Sequence, residues 1–222
     1  MHDSLFDLLS PHYCCSCGAI GAVLCEHCKY DIVADSFERC IVCLHPTISR
    51  SQLCGSCREP YTLAWCVGER SQALKETVNL YKYKSARAAV APLAELLDSI
   101  VPVLPLHTRV VPVPTIALHV RVRGYDHTAL LARRFARHRG LRISRILERI
   151  DTSRQQGSSR RQRLDQAKRA FRCRAAEPVP HLIIDDVYTT GATLHYAAKT
   201  LRDAGASEVY VAVLARQPLE KA

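Results

Sequence analysis

The chain has 222 residues, of which 48% are hydrophobic, and this is enough for one α/β domain with a small appended module. It contains no uninterrupted apolar run of about eighteen residues, so no membrane-spanning helix is predicted. The first seven residues lack the basic-then-apolar order of a signal peptide. We therefore expect a cytoplasmic protein with no membrane insertion.

The formal net charge is +10, and it is distributed unevenly. Residues 1–66 contain four Lys and Arg against seven Asp and Glu, whereas residues 133–174 contain fifteen against three. Such a basic segment is typical of proteins with a polyanionic partner, either a polyphosphate substrate or nucleic acid. A solvated basic helix face is the alternative.

Two regions of different character follow each other along the chain. In residues 12–60 the hydrophobic residues show little regular spacing and cysteines are frequent, which predicts turns held by metal. A linker around Arg58-Glu59-Pro60 is predicted to end this region. The predicted elements beyond it are strands at 62–68, 110–114, 181–186 and 208–214, helices at 71–84, 86–100, 126–138 and 192–204, and a mobile loop at about 150–172. Strands that alternate with helices predict a parallel α/β sheet over residues 61–222, with functional residues at the carboxyl ends of its strands.

Cysteines concentrate near the N-terminus, where ten of the 11 precede residue 67. Because the cytosol keeps thiols reduced, metal binding is favoured over disulfides, with redox thiols as the main competitor. Four Cys-x-x-Cys pairs can complete two tetrahedral zinc sites, and an all-cysteine ligand set makes them structural. The pairs are Cys14/Cys17, Cys25/Cys28, Cys40/Cys43 and Cys54/Cys57. Sequential pairing is the simplest arrangement, and interleaved pairing stays open.

Three cysteines remain outside these pairs. Cys15 has the wrong spacing from Cys17 for a knuckle of its own. Buried structural thiols are expected for Cys66 and Cys173.

The most specific motif is the stretch 182–193, in which an apolar strand delivers Asp185 and Asp186 to its carboxyl end. A short loop of threonines around Gly191 follows, and then a helix begins. Backbone N–H groups, Thr hydroxyls and the helix dipole can hold a phosphate, and the carboxylates can hold sugar hydroxyls, or a magnesium ion through water. These residues predict a sugar-phosphate site. The alternative is a plain strand–turn–helix in which Asp and Thr act as caps.

The stretch 183–193 closely resembles the phosphoribosyl-pyrophosphate (PRPP) signature of type I phosphoribosyltransferases. The paired knuckles, the Leu80-Tyr81-Lys82-Tyr83-Lys84 element, the block from Val111 to His127 and the segment from Arg154 to Phe171 resemble the ComF family in the same order. The resemblance implies a double zinc ribbon over residues 1–60 and a phosphoribosyltransferase domain over 61–222, with PRPP and Mg²⁺ as ligands.

The resemblance also implies roles for individual residues. Asp185 and Asp186 would act in catalysis by holding the ribose hydroxyls, and a 5′-phosphate would lie on the loop. The remaining PRPP contacts would come from basic residues. Two of these, Arg160 and Arg161, would lie with Arg163 on the loop that closes over the site. The implied PRPP-binding set is Thr189, Thr190, Gly191, Ala192, Thr193, Arg121, Arg123, Lys82, Arg160 and Arg161.

Where the family usually has Asn-Gln, this chain has Asp126-His127. A carboxylate beside a pyrophosphate site would repel the ligand, unless Asp126 is simply the N-cap of the helix that follows.

The resemblance implies a role in natural competence and DNA uptake. One interpretation is a glycosyltransferase with an unidentified acceptor. The other is a non-catalytic scaffold that binds single-stranded DNA or a competence helicase. Segment 133–174 contains only Phe135 and Phe171 as aromatic residues, which disfavours tight base stacking on DNA.

Overall fold

The computed structural model describes residues 12–35, 37–47, 51–69, 72–83, 87–150 and 170–218. Its centre is a five-stranded sheet in the order β1-β7-β6-β2-β3, in which all neighbours are parallel. These strands are β1 (Leu63–Glu69), β2 (Arg109–Pro112), β3 (Arg142–Ile143), β6 (Pro180–Tyr188) and β7 (Glu208–Arg216). A separate antiparallel ribbon pairs β4 (Glu148–Arg149) with β5 (Phe171–Arg172). The predicted parallel α/β class is confirmed.

Helices cover both faces of this sheet. The helices of the described residues are α1 (Glu26–Ala34), α2 (Gln72–Tyr83), α3 (Val90–Ile100), α4 (Ala117–Arg123), α5 (His127–His138) and α6 (Ala192–Asp203), of which α4 lies exposed. A 3₁₀ turn, Arg87–Ala89, precedes α3. Within the described ranges, no helix combines the length and the apolar character needed to cross a bilayer.

Two helices differ from the sequence expectations. The region of α1 was expected to be turns only, but α1 forms and buries Cys28 and Ile32, which lie four residues apart on one helical face. Between the predicted strand that begins at residue 110 and the predicted helix 126–138 lies α4, which was not predicted and has no buried residue. A helix without a buried face leaves no apolar period in the sequence, so pattern analysis could not detect it.

Strand β6 is central, and its side chains divide the core in two. Leu182 and Ile184 pack on one face with residues of α2, α3 and α5, and Ile183 packs on the other with residues of α6. Because alternate residues of a strand point to opposite faces, and helices cover both sides, the strand has the continuous apolar run that predicted it.

The cysteine-rich segment covers the free edge of β1. Leu24 packs in the first core and Ile41 in the second, so the segment reaches both faces of the sheet. Between them, the side-chain amide of Gln52 donates to the Cys66 carbonyl over 3.2 Å and accepts from the Cys66 N–H. This side chain pairs with β1 as a neighbouring strand would, and it closes an edge that would otherwise be open to other chains. The predicted boundary between residues 60 and 61 stays a prediction.

Candidate functional site

The buried carboxylate of Asp186, near the carboxyl end of β6, has two cationic or hydrogen-bonding partners. Lys82 Nζ, from the last turn of α2, lies 2.6 Å from Asp186 Oδ2. His127 Nε2, from the first turn of α5, lies 2.8 Å from the same oxygen. Burial alone would raise the pKa of Asp186, but the hydrogen bond from His127 and the charge of Lys82 hold that pKa well below its ordinary value. Asp186 is therefore ionised and fully engaged.

The neighbouring carboxylate of Asp185 has the opposite electrostatic environment. Burial and the negative charge of Asp186 raise its pKa to about 7. Its main stabilising contact is the backbone N–H of Asp186, which donates to Oδ1 over 2.9 Å. Asp185 is only partly buried, so of the two carboxylates it is the one available to a ligand.

The contacts of His127 define its tautomer. Arg123 Nη1 lies 3.0 Å from His127 Nδ1. Because a guanidinium only donates hydrogen bonds, Nδ1 must accept, and the ring proton is on Nε2, where it points to Asp186. Tyr81 Oη donates to the His127 carbonyl over 2.5 Å and fixes the backbone at this position. Arg123 thus acts on the carboxylate pair through the histidine.

Asp126 is the N-cap of α5. Its Oδ1 accepts from Ala129 N over 3.1 Å, from Thr128 Oγ1 over 2.8 Å and from Thr115 Oγ1 over 2.9 Å. The alternative interpretation is confirmed, because three donors engage the oxygen and the positive end of the helix dipole faces it.

The loop after β6 has the exposure expected of a phosphate site. Thr189 and Thr190 are exposed, and Gly191 has φ +79° and is the residue before α6. The first N–H groups of a helix have no partner within the helix. With Ala192 and Thr193 in its first turn, α6 presents such groups to an anion.

The predicted basic residues have different positions. Lys82 is part of the Asp186 ion pair, and Arg123 contacts His127, while Arg121 is exposed on α4. The predicted loop residues Arg160, Arg161 and Arg163 lie outside the described residues. The ribbon of β4 and β5 holds both ends of that loop, and the charge of Arg149 acts on Asp185.

The eight predicted metal ligands form two separate groups of four. Each group consists of two consecutive knuckles, and all four sulfurs of a group lie within 4.8 Å of one another. The first group is Cys14, Cys17, Cys25 and Cys28, and the second is Cys40, Cys43, Cys54 and Cys57. The pairing is therefore sequential.

Both groups fit zinc. Individual Sγ–Sγ distances are 3.6 Å for Cys17–Cys25 and 3.6 Å for Cys43–Cys54, and a tetrahedron with Zn–S bonds of about 2.3 Å separates its sulfurs by roughly 3.8 Å. In the second group, backbone N–H groups of Ser56 and Cys57 lower the pKa of Cys54 to about 6, whereas burial raises the pKa of Cys43 and of Cys57. Cys54 is therefore the thiol of this group that most readily becomes the metal-binding thiolate.

The remaining cysteines lie outside both groups. Cys66 is fully buried, its Sγ lies 3.2 Å from the Gly68 carbonyl, and burial raises its thiol pKa to about 12. This is the structural thiol that the sequence predicted. Cys15 Sγ lies 3.0 Å from Thr77 Oγ1 on α2. Cys173 is partly buried, and burial raises its pKa.

Sequence reasoning missed His127 as a partner of Asp186, because the two residues are 59 positions apart. The sequence feature that could have identified His127 was the presence of Asp126-His127 where the family usually has Asn-Gln. It also missed Arg216, which is 1% exposed and lies near the Tyr188 ring; nothing in the sequence around Arg216 distinguishes it from a surface arginine.

The parallel sheet, with two aspartates and a threonine–glycine loop at the end of β6, has the arrangement expected of a phosphoribosyltransferase-type domain, and two tetracysteine groups precede it. In agreement with this class, the family model described as a phosphoribosyl transferase domain matches residues 131–221.

Two curated relatives extend the likeness over most of the chain. Competence protein F of Haemophilus influenzae is 29% identical over 211 residues, which cover 87% of this chain and 90% of the relative. DNA utilization protein YhgH of Salmonella typhi is 28% identical over 219 residues, which cover 87% of this chain and 96% of the relative. Together with the domain match, these relatives support a ComF-like family for this chain.

We expect the purified protein to contain two zinc ions per chain. Because sequential pairing puts Cys14 and Cys28 in one site, the double variant Cys14→Ser/Cys28→Ser should lose one zinc, whereas Cys14→Ser/Cys40→Ser should lose both. Metal content by mass spectrometry measures this. Cys15→Ala is the matched control and should keep both ions; loss of both from Cys14→Ser/Cys28→Ser would instead indicate interleaved ligands.

Proposed function

We propose that this protein binds PRPP at the carboxyl end of β6 and acts in competence or DNA utilisation. The observation that carries the proposal is the placement of a partly buried Asp185, an ionised Asp186 and the loop from Thr189 to Thr193 at one end of one strand. That end lies in the middle of the parallel sheet, where ligands of such folds bind.

Each part of PRPP has a proposed counterpart. The 5′-phosphate lies on the loop and the N-terminus of α6, and the ribose hydroxyls contact Asp185, with Asp186 held behind it. The pyrophosphate faces Arg121 and the loop arginines Arg160 and Arg161. Magnesium, bound with PRPP, would neutralise part of the pyrophosphate charge.

We further propose transfer of the phosphoribosyl group to an acceptor. The bond between the anomeric carbon and pyrophosphate breaks, the electron pair leaves with pyrophosphate, and the acceptor's lone pair forms the new bond. The cations around the pyrophosphate favour this step because they stabilise the charge that develops there. Arg121, Arg160 and Arg161 are the cations proposed for this role. The acceptor is not identified by any residue of the site.

The cellular role rests on the relatives, whose names refer to competence and to DNA utilisation. Neither name mentions a helicase, so that partner stays a prediction, as does the cytoplasmic location.

Substitution of Gly191 tests whether the loop from Thr189 to Thr193 binds the phosphate. A Cβ atom at this position would lie 2.5 Å from Tyr188 Cζ and overlap its hydroxyl, and the positive φ disfavours any other residue. Gly191→Ala should therefore lower PRPP affinity at least tenfold by calorimetry in the presence of magnesium. Gly140→Ala is the control, because Gly140 has φ +65° and open space around its Cα. Equal PRPP affinity in the two variants would remove the loop from the phosphate site.

The two adjacent carboxylates should respond to substitution with opposite signs. The pKa of Asp185 is raised from 3.8 to about 7, so its ionised form costs folding stability, and this cost grows as pH rises from about 4 to about 7. Asp185→Asn should raise the unfolding temperature increasingly over that interval while weakening PRPP binding. Asp186→Asn should destabilise the fold by roughly 3–5 kcal/mol at pH 7, because Lys82 and His127 lose a buried partner.

Thermal unfolding at several pH values and calorimetry measure both effects. Unchanged PRPP affinity in the folded Asp185→Asn variant would exclude Asp185 from the ribose site.

A second candidate function, direct binding of single-stranded DNA, is favoured by one surface. Five exposed arginines lie on α5, in β3 and just beyond β3, and within the described part of the chain none forms a salt bridge with a carboxylate, although the pKa of Glu177 is lowered by Arg109 and also by the charge of Arg142. They are Arg133, Arg134, Arg137, Arg142 and Arg145. The aromatic residues Phe135 and Phe171 are buried, so this surface offers contacts to phosphates and none to bases.

If DNA binds there, affinity should fall steeply with salt, because the arginines displace counterions from the phosphates. Arg134→Ala/Arg137→Ala should reduce the slope of log K against log salt by roughly 0.7 for each phosphate that is no longer neutralised. Lys199→Ala/Arg202→Ala removes the same charge from α6, on the other face of the sheet, and is the control. Fluorescence anisotropy with a labelled oligonucleotide measures the slope. Equal slopes in the two double variants would contradict this surface, and no binding at low salt would exclude direct DNA binding.

A further inference from the structure

Arg216, the last residue of β7, connects the second tetracysteine group to the sheet. Its Nε donates to the Ile41 carbonyl over 2.7 Å, and its Nη2 donates to the Val42 carbonyl over 3.1 Å. Ile41 and Val42 are the two residues between Cys40 and Cys43. The guanidinium therefore clamps the backbone of a metal-binding knuckle.

The charge of Arg216 is buried without a carboxylate partner among the described residues, and the residue is 1% exposed. A buried charge is costly unless an opposite charge compensates it. Four thiolates around one Zn²⁺ carry a net charge of −2, and the knuckle that Arg216 clamps supplies two of those thiolates. In its metal-bound form, the second tetracysteine group would supply a negative charge next to the knuckle whose backbone Arg216 clamps.

The same guanidinium contacts the residue from which the phosphate loop starts. Arg216 Cζ lies 5.4 Å from the centre of the Tyr188 ring, within the range of a cation–π interaction. Tyr188 is 3% exposed, and its ring occupies the space against the Cα of Gly191. The loop conformation at Gly191 therefore depends on where the Tyr188 ring lies.

A second contact joins the same two regions independently of Arg216. Glu59 follows Cys57 by two residues, and its Oε2 lies 2.7 Å from Nδ1 of His195. His195 is in the first turn of α6, whose N-terminus completes the phosphate loop. Both the start and the end of the loop are therefore attached to the second tetracysteine group. The first group, by contrast, packs against the opposite core, with Leu24 and Ile32.

We propose that the second tetracysteine group, acting through Arg216 as a positioning residue, holds the phosphate loop in its binding conformation. Loss of its metal loosens residues 188–193, whereas loss of metal from the first group leaves them in place. PRPP binding by the loop rests on the proposed function. If the loop binds PRPP, loss of metal from the second tetracysteine group lowers the affinity for PRPP. By linkage, the ligand must also stabilise the metal.

The test compares matched cysteine pairs in the full chain. Cys54→Ser/Cys57→Ser disables the second group, and Cys17→Ser/Cys25→Ser disables the first. Amide hydrogen exchange followed by mass spectrometry reports on residues 188–193, with α5 as the internal reference. Relative to α5, we expect exchange of the loop to accelerate at least tenfold in Cys54→Ser/Cys57→Ser. In Cys17→Ser/Cys25→Ser, exchange of the loop should stay unchanged. Arg216→Met should reproduce the acceleration with both zinc ions bound, and Arg216→Lys should restore part of the protection.

A chelator experiment supplies the reciprocal measurement. PRPP should slow the release of one of the two zinc ions, the one retained by Cys17→Ser/Cys25→Ser, and leave the other unaffected. If wild-type protein binds no PRPP but the exchange pattern holds, the proposed function is wrong and the coupling stands. If PRPP binds but the loop exchanges equally in both cysteine pairs, the coupling is wrong. Where Cys54→Ser/Cys57→Ser does not fold, unchanged loop exchange in Arg216→Met also overturns it.

Discussion

The buried charge of Asp186 is the constraint on which the site depends. A carboxylate removed from water needs compensation, and here the two compensating groups come from different helices, Lys82 from α2 and His127 from α5. Tyr81 and Tyr125 reinforce this arrangement, since Tyr125 donates to the Tyr81 carbonyl and Tyr81 donates to the His127 carbonyl. The carboxylate of Asp186 thus ties the last turn of α2 and the first turn of α5 to the carboxyl end of β6.

This arrangement explains how two identical neighbours acquire different properties. Asp186 receives both partners and stays ionised, whereas Asp185 experiences the charge of Asp186 and has its pKa raised to about 7. Environments that separate the pKa values of adjacent acids are common at sites that bind or transform ligands. A cation that contacts Asp185 would favour its ionised form, so binding of such a cation should release a proton from this carboxyl near neutral pH.

Local patterns were sufficient to predict the parallel sheet, the cysteine knuckles and the loop after β6. The apolar run 182–184 and the spacing of Cys14 and Cys17 are contiguous signals, and the domain match and the relatives support the family resemblance. The parts that could not be predicted depend on distant contacts. Whether knuckles pair sequentially is decided by where α1 and Gln52 place them, and the burial of Arg216 depends on the knuckle 175 residues earlier in the chain.

The departure at Asp126-His127 shows why a motif must be judged by its contacts. From the sequence, an added carboxylate beside a pyrophosphate site predicts repulsion. In the structure, Asp126 is directed into the start of α5, where Asn and Asp are equally good N-caps, and the helix dipole offsets its charge. His127 offers the same N–H donor to Asp186 that a glutamine amide would offer, and Arg123 holds its ring so that this proton faces the carboxylate. The pair thus keeps the hydrogen-bonding functions of Asn-Gln, and the departure is compatible with an anion-binding site at the end of β6.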